Sequence, residues 1–397
     1  MVGEIRVRYA PSPTGDPHVG NIRTALFDWL YAKNRNGKFV VRVEDTDQNR
    51  KVSGAIQKQM DALKWLGLEW DEGMGEEGKY GPYVQSERLE IYSKYTNDLL
   101  ESGQAYRCYC TSDRLQELRE KQRIRKSSKV GYDGKCRTLT DSGRSQYEDE
   151  GSPSVVRFFM PATGTSSIKD LIRGEIEFDN SLADDFIIMK ADGFPTYHLA
   201  SVVDDHSMGI THVFRGEEWV SSIPRHVQLY EAFNWKKPFF AHLPTILAPD
   251  RSKLSKRHGA TSVLEYRKMG YLPQAMVNFL SLLGWSLDDK TEVMPLDAIT
   301  QNFSLDLVTK SAAIFDREKL EWMSGMYIRQ LPVKELADRM IPFLERYLPP
   351  DSLPVDRAYL ERIVPLIQER VKLLSQSGEW TSYFFNELPE YDPADLV

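Results

Sequence analysis

The first 43 residues constrain the fold most strongly, because they read as a strand, a stiff loop, a helix and a second strand. Residues 4–9 (EIRVRY) alternate apolar and charged side chains, and residues 38–43 (KFVVRV) are rich in β-branched and aromatic types. Between them lie the proline-rich segment RYAPSPTGDPHVGN, at 8–21, and apolar residues at helical spacing. This order predicts a right-handed βαβ unit in a parallel sheet.

The pattern changes twice along the rest of the chain. Short strand-like runs (SVVRFFM, GEIEFDN and DFIIMK) and a charged helical stretch near 114–126 predict an α+β insert. The α/β character returns after residue 196, where THVFRG reads as a strand and IPRHVQLYEAFNW as a helix. Beyond about residue 270 helical spacing dominates, with Pro342 and Pro365 placed where they kink or divide helices. The predicted class is therefore α/β with an insert and a helical C-terminal region.

Composition limits the classes of function. The 397 residues are 41% apolar, and no apolar run is long enough to span a bilayer. The N-terminus carries charges where a signal peptide needs an apolar segment, which predicts a cytoplasmic protein with no membrane partner. The net charge of −7 means that binding to a nucleic acid requires a local basic patch.

The proline-rich loop is a candidate anion site. Asp16 is a suitable N-cap and Pro17 suits the first helical position, which places His18 and Gly20 in the first turn. Unpaired amides and the positive end of the helix dipole favour an anion there, and His18 adds a donor. Taken alone, the segment fits a stiff turn with a capped helix and a surface histidine better than it fits an anion site.

A second candidate is the basic segment DRSKLSKRHGA at 250–260, which precedes a predicted capping box from Ser262 to Glu265. Its basic side chains are Arg251, Lys253, Lys256, Arg257 and His258. A lysine loop can close over a triphosphate and neutralise the charge on departing pyrophosphate. The alternative is an ordinary solvated loop.

Together, PHVGN and KLSKR resemble the paired signatures of class I aminoacyl-tRNA synthetases. The resemblance is closest to bacterial glutamyl-tRNA synthetases, because six segments occur in that family's order across essentially the whole chain. They are RYAPSPTGDPHVGN, RVEDTD (42–47), DGFPTYHLA (192–200), VVDDH (202–206), RGEEW (215–219) and KLSKRHGA (253–260).

The resemblance implies a Rossmann-like catalytic domain in two halves, 1–85 and 193–260, separated by a tRNA acceptor-binding insert at 86–192. A helical stem-contact domain at 261–332 and a partial helical anticodon-binding domain at 333–397 follow. Family members usually continue into further anticodon-binding helices, so a truncated or naturally short form is expected. The implied partners are L-glutamate, ATP with Mg²⁺ and tRNA-Glu, and a monomer is expected.

The implied glutamate site is chemically reasonable, because a substrate with two carboxylates and one ammonium needs fixed cations and one anion. Arg8 and Arg215 follow predicted strands and would meet at the carboxyl edge of one sheet, where Glu44 could take the ammonium. Without the resemblance, Arg8 and Glu44 could be a surface ion pair. Ser201 stands where some family members carry asparagine. The positions that match the family's glutamate site are Arg8, Ala10, Ser12, Glu44, Tyr197 and Arg215.

The resemblance also implies the roles in ATP chemistry. His18 and Gly20 would hold phosphate oxygens, Lys253 and Lys256 would stabilise the leaving pyrophosphate, and Glu218 and Trp219 would line the ATP and glutamate sites. No general base for the tRNA step is evident, and the resemblance implies that tRNA must bind before glutamate is activated efficiently.

All three cysteines, Cys108, Cys110 and Cys136, lie in one segment. Three thiolates suit tetrahedral zinc, which needs a fourth ligand. A subset of bacterial glutamyl-tRNA synthetases resembles this pattern, with Tyr132 at the matching fourth position and Asp133 or water as alternatives. A structural Zn²⁺ is expected, and three ordinary reduced thiols are the other interpretation.

The insert also carries a basic face, with nine lysines and arginines against three acids between Arg114 and Arg137. Such a face suits a tRNA backbone, and a solvated helix is the alternative. The alternative functions are those of a glutamyl-Q tRNA-Asp synthetase-like enzyme, a small-molecule nucleotidyltransferase and a non-catalytic RNA-binding paralogue.

Overall fold

The computed structural model describes residues 4–126 and 130–385. It begins with the predicted βαβ unit, formed by β1 (Arg6–Tyr9), α1 (Val19–Asn34) and β2 (Lys38–Val41). β1 and β2 pair in parallel, with Arg6 opposite Lys38. α2 (Ala55–Trp65) leads to β3 (Glu72–Gly73), which extends the parallel sheet to the order β1-β2-β3.

The second half of the α/β unit consists of α6 (Tyr197–Ser207), β9 (His212–Gly216), α7 (Ile223–Ala232) and β10 (Phe239–Leu243). β9 and β10 pair in parallel, as a ladder separate from β1-β2-β3. The two ladders lie side by side. A hydrogen bond joins them, in which the amide of Thr211, just before β9, donates to the carbonyl of Arg6 in β1 at 2.9 Å. The predicted single sheet is therefore two adjacent ladders.

Between these halves lies the predicted α+β insert, whose strands pair antiparallel in the order β4-β5-β8 and in a β6–β7 hairpin. β4 and β6 were not predicted. Alternate side chains of β6 are buried, but two of the buried ones, Ser166 and Asp170, are polar. The sequence therefore lacks the alternation of apolar and polar residues that predicts a strand. The elements are α3 (Leu89–Glu101), β4 (Ala105–Cys108), α4 (Ser112–Ile124), α5 (Asp141–Asp149), β5 (Val155–Phe158), β6 (Thr165–Asp170), β7 (Gly174–Asp179) and β8 (Ile187–Met189).

The C-terminal region is mainly helical, as predicted. Pro342 lies inside α12 without ending it, and Pro365 lies two residues before the end of α13. The elements are β11 (Ile246–Leu247), α8 (Val263–Lys268), α9 (Pro273–Leu282), α10 (Leu296–Asn302), β12 (Ala313–Ile314), α11 (Arg317–Gln330), α12 (Val333–Tyr347), α13 (Arg357–Ile367) and α14 (Ser377–Phe385). The domain boundaries given above stay predictions.

The helical region shares a hydrophobic core with the α/β unit. Phe27 of α1 meets Phe303, just beyond α10, edge to face with 5.3 Å between ring centroids, and the buried Trp285 lies against Phe303. Aromatic contacts of this kind add to the free energy gained by burying apolar area. Among the described residues, no helix has the length and apolarity needed to cross a bilayer.

A buried charge cluster joins the halves of the α/β unit to the start of the insert. Asp204 of α6 is fully buried and accepts hydrogen bonds from Arg88 Nε at 2.8 Å, Gln85 Nε2 at 2.9 Å and Tyr92 Oη at 2.7 Å. Arg42 Nε lies 3.7 Å from the same carboxylate. The relative positions of three segments that are far apart in the sequence therefore depend on this one carboxylate.

Replacing Asp204 with alanine should lower the free energy of unfolding by about 3–5 kcal/mol, because the buried guanidinium of Arg88 loses its carboxylate and the buried Gln85 and Tyr92 lose their acceptor. Asp338→Ala is the matched control, since Asp338 pairs with Arg357 in solvent and should contribute little. Urea denaturation of both variants measures the difference. Equal, small losses in the two variants would contradict the structural importance of the cluster.

Candidate active site

A cleft of about 840 Å³ opens at the carboxyl ends of β1, β2 and β9. This is where parallel α/β structures bind ligands. Every predicted glutamate or ATP residue whose side chain is described lines it: Arg8, Ala10, Ser12, His18, Gly20, Glu44, Tyr197, Arg215, Glu218, Trp219 and Lys253. The side chain of Lys256 lies outside the described part of the structure. Ser201 is buried on α6 and is not among the lining residues.

The start of α1 differs from the prediction. The N-cap is His18, not Asp16, and the helix begins at Val19. Asp16 instead forms an ion pair with Lys58, whose Nζ lies 2.7 Å from Oδ1 of Asp16. His18 replaces it because Nδ1 accepts the amide of Gly20 at 3.0 Å, which is the role of a capping side chain.

The amides of the first turn are not free, contrary to the expectation for an open anion site. Val19 donates to Thr261, Gly20 donates to the His18 ring, and Asn21 donates to the His18 carbonyl. Because Nδ1 of His18 accepts, a neutral ring carries its proton on Nε2. Burial and the charge of Lys253 lower the pKa of His18, so the ring stays neutral with an Nε2–H donor.

Gly20 leaves room for this ring. A Cβ at position 20 would lie 3.3 Å from Nδ1 of His18, which is a tight contact. The glycine therefore allows the imidazole to cap its own helix.

The basic segment lies directly against the start of α1. The amide of Val19 donates to the carbonyl of Thr261 at 2.9 Å, and the amide of Val263 donates to the carbonyl of Pro17 at 3.0 Å. Glu265 caps α8 by accepting the amides of Thr261 and Ser262. Two motifs about 240 positions apart are thus joined by backbone hydrogen bonds.

Arg8 and Glu44 are both buried, and each has its own partner, unlike the surface ion pair considered from sequence. Arg8 donates through Nε to Asp205 at 3.1 Å and through Nη1 to the carbonyl of Phe214 at 3.1 Å. Glu44 accepts from Arg42 Nη2 at 2.9 Å, and burial raises its pKa. These contacts hold a cation and an anion rigidly at the cleft.

Arg215 is anchored on two sides. Its Nε donates to His242 at 2.9 Å, and its Nη1 lies 3.3 Å from Tyr197 Oη and 3.2 Å from His226 Nδ1. Nη2 is buried with no hydrogen-bond partner among the described residues. Arg215 lines the cleft, so its guanidinium can serve a bound carboxylate. Trp219 lies against Tyr197 with ring centroids 4.5 Å apart.

Sequence reasoning missed several groups around the cleft. Asp28 is fully buried on α1, lines the cleft, and has neither carboxylate oxygen hydrogen-bonded within the described residues. Its signal was a carboxylate among apolar residues in ALFDWL. His226, His242 and Asp170 were also missed, because no local pattern indicates that they surround Arg215.

The three thiols of the insert lie together, with their sulfur atoms all within 4.8 Å of one another. Tyr132 Oη lies 3.4 Å from Cys108 Sγ and 3.7 Å from Cys110 Sγ. The carboxylate of Asp133 is instead bound by Arg114. This donor set and spacing fit a tetrahedral zinc ion, with Tyr132 better placed than Asp133 as the fourth group.

Comparison with known proteins gives a consistent result. The family model described as "tRNA synthetases class I (E and Q), catalytic domain" matches residues 4–322. A model described as "Anticodon binding domain" matches residues 335–397. The curated "Glutamate--tRNA ligase" of Dehalococcoides mccartyi is 54% identical over 100% of this chain and 81% of its own length.

The chain belongs to the glutamate–tRNA ligase family.

This family places it among the aminoacyl-tRNA ligases, as predicted. A second relative, the "Glutamate--tRNA ligase" of Moorella thermoacetica, is 47% identical over 98% of this chain and 80% of its own length. Among solved structures, a glutamate tRNA ligase from Elizabethkingia meningosepticum, crystallised in complex with its amino acid, superposes with a TM-score of 0.91 at 35% identity. The superposition covers 98% of this chain and 82% of the Elizabethkingia chain. The predicted fold class is thereby confirmed.

Asp28 provides a test of the electrostatics in the cleft. Burial raises its pKa well above the usual value, although Arg8 opposes the shift. Because the folded-state pKa is raised, ionisation destabilises the fold as pH rises above about 3.9, the ordinary value for aspartate. Asp28→Asn should therefore match the parent near pH 4 and melt at least about 2 °C higher at pH 8. A melting difference that does not grow with pH would contradict this assignment.

Proposed function

We propose that this chain activates L-glutamate with ATP and transfers the glutamyl group to tRNA-Glu, and that the cleft is the site of both steps. One observation carries the proposal. The same cleft holds buried Arg8, Arg215 and Glu44 at the strand ends, and His18 with Lys253 at the start of α1. Carboxylate-binding groups thus lie beside phosphate-binding groups, as adenylate formation requires.

In this proposal glutamate occupies the strand ends. Arg215 offers its guanidinium to a substrate carboxylate, and Arg8 adds a second fixed cation. Glu44 takes the substrate ammonium while it stays hydrogen-bonded to Arg42. Tyr197 orients Arg215 and the substrate, and the backbone segment from Ala10 to Ser12 completes the pocket. Fixed charges of this kind need no reorganisation when the substrate binds.

ATP is placed at the other end of the cleft. His18 donates from Nε2 to a phosphate oxygen, Gly20 keeps the helix start close to the ligand, and Glu218 and Trp219 line the nucleotide site. A glutamate carboxylate oxygen attacks the α-phosphorus, and the bond to the β-phosphate oxygen breaks to release pyrophosphate. Lys253 and Lys256 stabilise the charge on that leaving group. Mg²⁺ bound to the phosphates supplies further charge neutralisation.

In the second step a terminal ribose hydroxyl of tRNA attacks the glutamyl carbonyl, and AMP leaves. The basic helix α4 and the residues that follow it are proposed to contact the tRNA backbone. Among the described residues of this stretch, Arg119, Arg123 and Arg125 are exposed. Phosphate contacts of this kind position a nucleic acid without reading its sequence. We propose that the chain acts as a monomer.

We further propose a structural zinc ion held by Cys108, Cys110 and Cys136, with Tyr132 beside the fourth position. The support is the clustering of the sulfur atoms and the nearby cations. Arg114 Nη1 lies 3.4 Å from Cys110 Sγ, and the guanidinium of Arg157 lies 3.9 Å from the Tyr132 ring centroid. The ion would stabilise the insert away from the cleft.

The catalytic roles predict that His18→Ala and Lys256→Ala each slow glutamate-dependent, tRNA-dependent pyrophosphate exchange by at least about 100-fold, because transition-state charge loses a stabilising partner. Lys256→Ala should keep the parent melting temperature within about 2 °C, and His18→Ala should lower it by no more than about 5 °C through the loss of the α1 cap. Lys334→Ala, a change at an exposed lysine on α12, is the matched control and should exchange normally. Normal exchange in both site variants would overturn the assignment.

Aminoacylation of purified tRNA-Glu, tRNA-Gln and tRNA-Asp separates the proposal from the other functions considered. Glutamylation of tRNA-Glu is the expected result. Charging of tRNA-Asp alone would favour the glutamyl-Q-type enzyme, and failure to form the adenylate with any tRNA would favour a non-catalytic RNA-binding protein.

Metal analysis tests the zinc proposal. Protein purified without chelator should contain about one zinc ion per chain, since three thiolates make a high-affinity site. Cys136→Ser should lose the metal, whereas Asp133→Asn, the matched control, should retain it. No zinc in the parent, or equal loss in both variants, would contradict the assigned ligands.

A further inference from the structure

The guanidinium of Arg215 is held by imidazole rings, not by a carboxylate. His242 accepts from Nε at 2.9 Å, and Nδ1 of His226 lies 3.2 Å from Nη1. Arg215, His226 and His242 are all buried. Most buried arginines pair with an acid, which neutralises their charge. Here the neighbouring acceptors are uncharged rings, so the positive charge of Arg215 remains available to a ligand.

The hydrogen bonds determine where the protons of these rings lie. A guanidinium is only a donor, so Nε2 of His242 must be unprotonated and the proton must lie on Nδ1. That Nδ1 is 2.6 Å from Oδ2 of Asp170, to which it donates. In the same way, Nδ1 of His226 accepts from Arg215, and its Nε2–H points to Nδ1 of His198 at 3.2 Å.

Asp170 is itself rigidly held. It ends β6 in the insert, is buried, and accepts the amides of Ile172 and Arg173 through Oδ1 at 3.0 and 2.9 Å. Its Oδ2 also accepts the amide of His242 at 3.1 Å. The pKa of Asp170 is lowered, because these hydrogen bonds and His242 outweigh its burial. An ionised carboxylate from the insert therefore faces the imidazole.

We propose that Asp170 and His242 are positioning residues for glutamate binding: Asp170 sets the tautomer of His242, and His242 orients the guanidinium of Arg215 at the wall of the cleft for the substrate carboxylate. This inference rests on the proposed function of the cleft. The Nε and Nη1 groups of Arg215 have protein acceptors, so these contacts determine how the cation is presented to a ligand. The insert thereby supplies a residue that acts on the amino-acid pocket through one intervening side chain.

Two amide variants distinguish the contact of His242 with Asp170 from its contact with Arg215. His242→Asn can keep a donor to Asp170 but cannot reach Arg215, whereas His242→Gln places an acceptor near Arg215. His242→Asn should raise the KM for glutamate at least about tenfold, the effect expected when a hydrogen bond to a charged group is lost. His242→Gln should return that KM to within about threefold of the parent.

The KM values for ATP and tRNA-Glu should stay within about twofold in both variants, because Arg215 is placed at the amino-acid end of the cleft. His206→Asn, at an exposed histidine of α6, is the matched control and should leave all three values unchanged. Equal glutamate KM values in the Asn and Gln variants, or a parallel change in all three KM values, would overturn the proposal. A parent enzyme that does not glutamylate tRNA-Glu would instead refute the proposed function.

A spectroscopic measurement tests the same point without relying on a variant's activity. Two-bond ¹⁵N–¹H correlation spectra of histidine-labelled protein report the tautomer of each ring, with His242 assigned from its Gln variant. At pH 7, His242 should be the neutral Nδ1–H form, and Asp170→Asn should change its tautomer. An Nε2–H or imidazolium His242 in the parent would refute the relay.

Discussion

The pairing of Asp204 and Asp205 with three buried arginines is the interaction on which the rest of the structure depends. Arg8 and Arg42 share Asp205, and Arg88 and Arg42 approach Asp204. Removing such charges from water is costly, and the cost is recovered only when every partner is in place. The arrangement therefore favours a single relative position of β1, β2, α3 and α6. That position brings Arg8 and Glu44 to the cleft.

The end of the cleft proposed for the nucleotide is organised by backbone hydrogen bonds instead of charge pairs. Val19 and Val263 each donate across to the other motif, so the start of α1 and the segment before α8 form one unit. His18 caps the helix with one ring nitrogen and leaves the other as a donor. The lysine-containing segment is thus anchored at its C-terminal side, next to the histidine with which we propose it acts.

The insert contributes to the catalytic unit as well as to the proposed tRNA surface. Asp170 at the end of β6 contacts His242, and Arg173 pairs with Glu217 beside the cleft. The cysteine cluster lies where β4 meets the segment around Cys136. Under these proposals, one module would contact the tRNA and also position Arg215, which would couple the two substrates physically.

The sequence alone determined the βαβ start, the insert, the helical C-terminal region and the order of motifs, because periodicity, prolines and short signatures are local properties. It also indicated the residues expected to bind glutamate and ATP, and those whose side chains are described all line the cleft, but it indicated neither Asp28 nor the polar groups around Arg215. Only the tertiary structure decided the true N-cap, the occupied amides of α1, the partners of Arg8 and Glu44, and the Asp170–His242–Arg215 chain. These depend on contacts between residues tens to hundreds of positions apart, and no local pattern encodes which buried polar groups will meet.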